Sequence, residues 1–274
     1  MAGAVAAALP DAQFESWALE LGAIDFRRAD ALVVAGFADG LLALARTAVS
    51  PGEIERAFAR RGVVAGRAVE HGVTRVFGAW NGEPAQVAIF GSEAAGLELG
   101  RLGPLRAAIE FAGGRLRRSR PALREAPLAD VAERLGPAPA LAFAPGPFEG
   151  EWASGLAGLL AAATAVGVSL RPQNVTPRVS HGGMRGSAFV RACVVVAGAW
   201  GVAAPAAAER LAACFHVLGN DALGHLMGLD HPATDPVVRS DTGAIALEVD
   251  LDAVALAEGL RRATWADVGE IVSP

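Results

Sequence analysis

Two short stretches, Gly96-Leu-Glu-Leu99 and Ala246-Leu-Glu-Val249, decide how this fold is read. Each closes a run of extended residues and leads into an amphipathic helix, Leu105 to Arg118 after the first and Ala253 to Arg262 after the second. Working outward from the first, Arg67 to Glu70, Thr74 to Ala79 and Pro84 to Phe90 read as strands. Asn81-Gly82 lies between two of them and suits a type I′ turn, which needs positive φ at both central positions. Further upstream come strands Ala31 to Phe37 and Leu41 to Ala48, then a helix opened by Pro51 and running to about Arg61. Asp11 is placed to cap a helix through Leu21, with Phe14, Trp17, Ala18 and Leu21 on one face.

Around the second stretch, Asp235 to Arg239 and Ala244 to Asp250 form a hairpin about Asp241-Thr-Gly243. Before it come a helix over Gly155 to Ala165, strands Val166 to Leu170 and Ala188 to Ala197, and a helix over Pro205 to Leu218. Pro121, Pro127, Pro137, Pro139, Pro145 and Pro147 interrupt the middle of the chain, leaving a short helix, Leu128 to Leu135, and a strand, Ala140 to Ala144. The expected fold class is α+β: two similar units, each an antiparallel sheet with helices packed on one face, in ferredoxin-like style. The units are expected at 1–136 and 137–274, related by an internal repeat, whether as two domains or packed into one.

The chain has 274 residues, 53% hydrophobic and 19% charged, with a formal net charge of -5. All 24 basic residues are Arg, and Tyr is absent. A Walker A loop, Schiff-base chemistry and Lys or Tyr general bases are thereby excluded. No G-x-G-x-x-G follows a strand, and no cofactor is expected. The mild acidity argues against a nucleic-acid binder. Arg115, Arg117, Arg118, Arg120 and Arg124 form the one basic concentration, at a helix end where cations complement the dipole. Cys193 and Cys214 read as small buried hydrophobes. No run of roughly 18 apolar residues marks a transmembrane segment. Met1 to Pro10 lacks the basic flank of a secretory signal, and its apolar run into Asp11 looks like a helix cut in the middle, as from an internal or mispredicted start.

The stretch Gly224-His225-Leu-Met-Gly228-Leu-Asp230-His231 resembles the second half of the metzincin zinc signature, H-E-x-x-H-x-x-G-x-x-H. His225, Gly228 and His231 match. Asp221 stands where the first His belongs and Ala222 where the Glu belongs, and Ala cannot activate a zinc-bound water. No Met follows His231 to make a Met-turn, so the likeness is judged coincidental. No catalytic, cofactor-binding or metal residue is assigned; the candidates if metal binds are His225, His231, Asp221 and His216. Asp221 reads more simply as the N-cap of a short helix to Leu229, with Leu223, Leu226, Met227 and Leu229 facing inward. Ser180-His181-Gly182-Gly183 is similar to the glycine-rich oxyanion loops of esterases but has no G-x-S-x-G partner, and it reads as a polar loop. Glu93 with Glu98, and Asp250 with Asp252, read as solvated or capping carboxylates. His71 stands alone in a turn.

Over a longer span, Leu102 to Arg118, Phe143 to Trp152 and Leu159 to Val168 resemble an uncharacterised lipoprotein family of myxobacteria, and the likeness extends through Leu226 to Pro232. It implies export and lipid anchoring to the cell envelope, on the periplasmic face, if Met1 is a mispredicted start, and a cytoplasmic protein otherwise. The signal and lipid-attached Cys of that family are absent here, and it supplies no catalytic residues. The function expected is a non-enzymatic envelope scaffold or binding protein for a partner protein, lipid or hydrophobic ligand held between its halves, a reading supported by the lack of a complete catalytic constellation and by the apolar junction Phe148 to Leu160. The alternative is a metal-binding protein or metal-dependent hydrolase centred on His225 and His231. A third reading, acyl transfer by Ser180 or His181, is not expected.

Overall fold

Side chains of consecutive strand residues point to opposite faces of a sheet. Ala88 and Ile89 are neighbours, 0% and 1% exposed, and so are Val195 and Val196, 1% and 0% exposed. Both faces of each sheet must therefore be covered. The computed structural model describes residues 22, 24, 28–100, 103–114, 122–173, 189–230 and 232–265, without the side chains of 223, 226, 227 and 260–265. These residues form two compact units, one comprising the described residues up to Gly114 and the other those from Ala122 onward.

In the first unit, β1 (Ala31–Phe37), β2 (Gly40–Arg46), β3 (Gly62–Glu70), β4 (Val73–Trp80), β5 (Glu83–Phe90) and β6 (Ala94–Gly100) form one sheet in the order β1-β2-β6-β5-β4-β3. Asn81 and Gly82 take the left-handed φ values of 52° and 85° that their turn requires. Helix α1 (Pro51–Arg61) begins with Pro in its first turn and ends with Arg60 and Arg61, as the missing Pro donor and the helix dipole favour. Its buried Ile54, Ala57 and Phe58 pack on one face of the sheet with Val87, Ala95 and Leu97. Helix α2 (Pro104–Ala112) puts Leu105 and Ile109, 0% and 1% exposed, on the other face with Leu42 and Ala88. Full burial of such a side chain contributes roughly 1.5–3 kcal/mol. The helix stops at Gly113 and Gly114, short of the expected Arg118, as two glycines favour.

The second unit comprises α3 (Leu128–Leu135), β7 (Ala140–Pro145), β8 (Ala163–Gln173), β9 (Phe189–Gly198), α4 (Ala204–Gly219), α5 (Ala222–Met227), β10 (Val237–Ser240), β11 (Ala244–Asp252) and α6 (Ala253–Trp265). Its sheet runs β10-β11-β9-β8-β7. Ala204, Ala207, Ala208 and Leu211 of α4 recur at helical spacing and pack with Val196, Ile245 and Leu247 on one face. Val131 and Leu135 of α3 pack with Ala165, Val195 and Ala244 on the other.

The α+β class with two antiparallel sheet units is as expected, but two details differ. Helices cover both faces of each sheet, not one, because adjacent strand residues are apolar and each set needs cover. The ferredoxin-like style holds in the strand order: β9 and β10, joined through α4, run parallel to each other with β11 paired antiparallel between them, and β2 and β5 flank β6 in the same way. The helix expected over Gly155 to Ala165 is two short 3-10 turns, Gly150–Ser154 and Leu159–Ala162, followed at once by β8. Leu156, Ala157 and Gly158 all have positive φ there, which no α-helix accommodates. The two units divide ahead of α3, between Gly114 and Ala122.

Candidate functional site

The zinc-like segment resolves into ordinary helix-end chemistry. Asp221 caps α5, its carboxylate accepting the Gly224 backbone N–H at 2.6 Å, and Gly228 ends the helix with φ 71°. His225 is exposed, with Nδ1 2.8 Å from Oδ2 of Asp230. His216 is exposed on α4, edge-on to Phe215. His231 lies outside the described residues, as do Ser180, His181, the five arginines' members Arg115 to Arg120, and the helix expected from Asp11 to Leu21. Among the described residues no three His, Cys, Asp or Glu side chains converge as a metal set would. Of the inward-facing leucines expected here, Leu229 is half-buried against the second unit's core.

The remaining candidates are also accounted for. Cys193 and Cys214 are free and half-buried, and burial is the main cause that pushes each thiol pKa up. Asp252 caps α6 by accepting the backbone N–H groups of Val254 and Ala255, both at 2.9 Å. Asp250 accepts from Arg191 at 2.8 and 3.0 Å, and these hydrogen bonds hold its carboxyl below the usual range. His71 sits in a turn at φ 54° and lies close against Gly113. Arg124 is exposed in a 3-10 turn. The junction Phe148 to Leu160 does not open as a ligand site: Leu159 and Leu160 are in the second core, and Trp152 is 74% exposed.

The structure instead opens a cavity in the first unit. On the α1 face, Ala45 of β2 lies opposite Ala95 of β6, and Ala43 opposite Leu97. A Leu or Ile at these alanine positions would reach the helix; the methyl groups stop short, and about 210 Å³ is left between sheet and helix. Ile54, Ala57 and Phe58 form the roof, Val87 and Leu97 the inner wall. The outer side is the edge strand β1, whose Leu32 and Val34 are 52% and 58% exposed although they line the cavity. Trp80 stands at one end, its ring edge-on to Phe58 with centroids 6.2 Å apart. The lining carries no charged side chain. A dry apolar cavity of about 150 Å³ already admits a small aromatic molecule, so this one has room for a short length of hydrocarbon.

The sequence reading missed these residues. The available signal was the run of alanines at inward positions of β2 and β6, next to a seven-residue edge strand, Ala31-Leu-Val-Val-Ala-Gly-Phe37, with no charge and no Pro. Native edge strands are usually blunted by such residues.

Fold and site together define an α+β protein of two antiparallel-sheet units, the first of which holds an apolar cavity open at a sheet edge. No protein-family model matches the chain, and no curated protein matches it. Two solved structures of TP0453 match over most of its length. Crystal form I is 12% identical, covering 92% of this chain and 90% of that one, with a TM-score of 0.47. Crystal form III is 12% identical, covering 85% and 80%, with a TM-score of 0.45.

Proposed function

We propose that this chain is a non-enzymatic cell-envelope protein that binds a lipid hydrocarbon chain in the cavity of its first unit. The observation that carries this reading is a cavity lined by apolar side chains and reached past the exposed Leu32 and Val34. Such a space has nothing to offer a polar substrate, whereas each buried methylene of a lipid contributes about 0.8 kcal/mol. The envelope setting is supported by the likeness to myxobacterial lipoproteins at Leu102 to Arg118 and Phe143 to Trp152. The non-enzymatic role is supported by the Ala at position 222, where a zinc hydrolase would need its general base, and by the absence of Lys and Tyr.

The test is titration of the protein with an environment-sensitive fluorescent fatty acid. Ala43→Leu fills the cavity and is expected to weaken binding at least about tenfold. Val34→Glu, at an exposed position, puts a charge in the entrance and is expected to do the same without touching the core. Unchanged affinity in folded Val34→Glu, or no saturable binding by the parent chain, overturns the proposal.

A further inference from the structure

We infer that the lipid is a single-chain amphiphile with a zwitterionic headgroup, and that the headgroup is read at the Trp80 end of the cavity. This rests on the cavity's binding a hydrocarbon chain.

The cavity continues toward charge in one direction. Along β2 and β6 the cross-strand pairs on the α1 face run Ala45 and Ala95, then Ala43 and Leu97, then Leu41 and Leu99. The first two pairs line the apolar cavity; the third, roughly 7 Å further along the strands, lines a second, open cleft of about 530 Å³. Trp80 lines both. On β1, Gly36 faces Leu41, and a side chain at Gly36 would meet nothing within 4 Å, so that side stays open.

The helix points the same way. Ile54, Ala57, Phe58 and Arg61 fall at i, i+3, i+4 and i+7, one stripe of α1. Three of them roof the cavity, and the fourth sets its guanidinium 5.4 Å from the centroid of the Trp80 ring. The apolar stripe thus ends in a cation where the cavity meets the cleft. The other charged residues lining the cleft are the exposed Asp39 and Glu83.

These charges select the headgroup. A simple anion suited to Arg61 would stand beside two carboxylates, and a simple cation suited to Asp39 and Glu83 would stand beside Arg61. A headgroup holding a phosphate and an ammonium a few bonds apart complements both signs at once. Volume selects the tail, since about 210 Å³ suits one chain and not two.

The experiment is isothermal titration of the full chain, below micelle-forming concentrations, with three ligands of equal chain length: a lysophosphatidylethanolamine, a saturated fatty acid and a primary alcohol. The lysophospholipid is expected to bind about tenfold tighter than the other two. In the variant Arg61→Gln, Asp39→Asn, Glu83→Gln that advantage disappears while alcohol affinity stays within about twofold. If the triple variant does not fold, Arg61→Gln alone, at an exposed helix end, is expected to remove most of the advantage. An alcohol or fatty acid that binds as tightly as the lysophospholipid overturns the headgroup assignment and leaves the cavity reading standing, and so does an advantage that survives substitution. Binding of none of the three overturns both.

Discussion

Glu98 and Glu248 hold the same place in the two Leu-Glu stretches and meet different surroundings. Glu98 is 1% exposed: its carboxylate accepts from the side-chain amide of Gln86, directly opposite on β5, and from the Leu105 backbone N–H at 3.3 Å, in the first turn of α2. A carboxylate at a helix N-terminus also meets the positive end of the dipole. Glu248 is 28% exposed and pairs with the largely exposed Arg239 at 3.3 Å. Glu98→Ala would leave a half-buried amide and a buried helix N–H without an acceptor, and is expected to cost about 1–3 kcal/mol in urea unfolding. Glu248→Ala is expected to stay within about 0.5 kcal/mol. Equal losses at the two positions would refute this account. The Leu-Glu-Leu alternation shows that Glu98 lies on the face opposite its neighbours, but not that a helix returns to cover that face. That is why a carboxylate read from sequence as solvated or capping proves to be buried as well as capping.

At the scale of elements, helices dock where strands carry glycine. A Cβ on Gly96 would lie 2.7 Å from the Leu105 side chain of α2 and 2.6 Å from Leu44. One on Gly167 of β8 would lie 2.4 Å from Val131 and 2.7 Å from Leu135, the two buried residues of α3. Neither glycine has the positive φ that would give it a conformational reason, so close approach of helix to strand is the reason. Gly167→Ala is therefore expected to push α3 off its sheet, destabilising the protein by about 1–3 kcal/mol and raising hydrogen exchange in Leu128–Leu135 ahead of β9. Unaltered exchange in that helix would count against the docking role. Most elements were legible in the chain: α1 and α3 stand at the residues read for them, and the turn at Asn81-Gly82 is where the pair required it. What sequence could not supply was the partner of each helix. The apolar pair Val131 and Leu135 announces a buried face and says nothing of which sheet will bury it. The Gly155 to Ala165 segment failed for a related reason, because a short apolar run has no period that separates helix from strand.

At the scale of the molecule, the two Leu-Glu stretches belong to equivalent strands. In the first unit hairpin β1-β2, helix α1, hairpin β5-β6 and helix α2 come in that chain order, with β3 and β4 inserted after α1, and the strand order is β1-β2-β6-β5. In the second, β8-β9, α4, β10-β11 and α6 follow in the same way, with order β8-β9-β11-β10. Leu97 and Leu99 face the helix between the hairpins, α1, as Leu247 and Val249 face α4. Each unit then adds its own strands at one edge, β3 and β4 beyond β5 in the first and β7 beyond β8 in the second. The covers of the Glu faces differ: α2, which follows β6, lies over Glu98, whereas α3, which precedes β7, packs on that face of the second sheet. Every strand and helix needed to bury both faces of the second sheet therefore lies after Ala122. A chain of residues 120–274 is then expected to fold alone, since it carries its own core with Val196 and Ile245 at 0% exposure. It should show a single cooperative thermal transition, and Leu211→Ala, 3% exposed on α4, should lower its stability by about 2–5 kcal/mol. A fragment without cooperative unfolding would mean that the second sheet depends on residues before 120, and the reading of the chain as two self-sufficient units would fall with it.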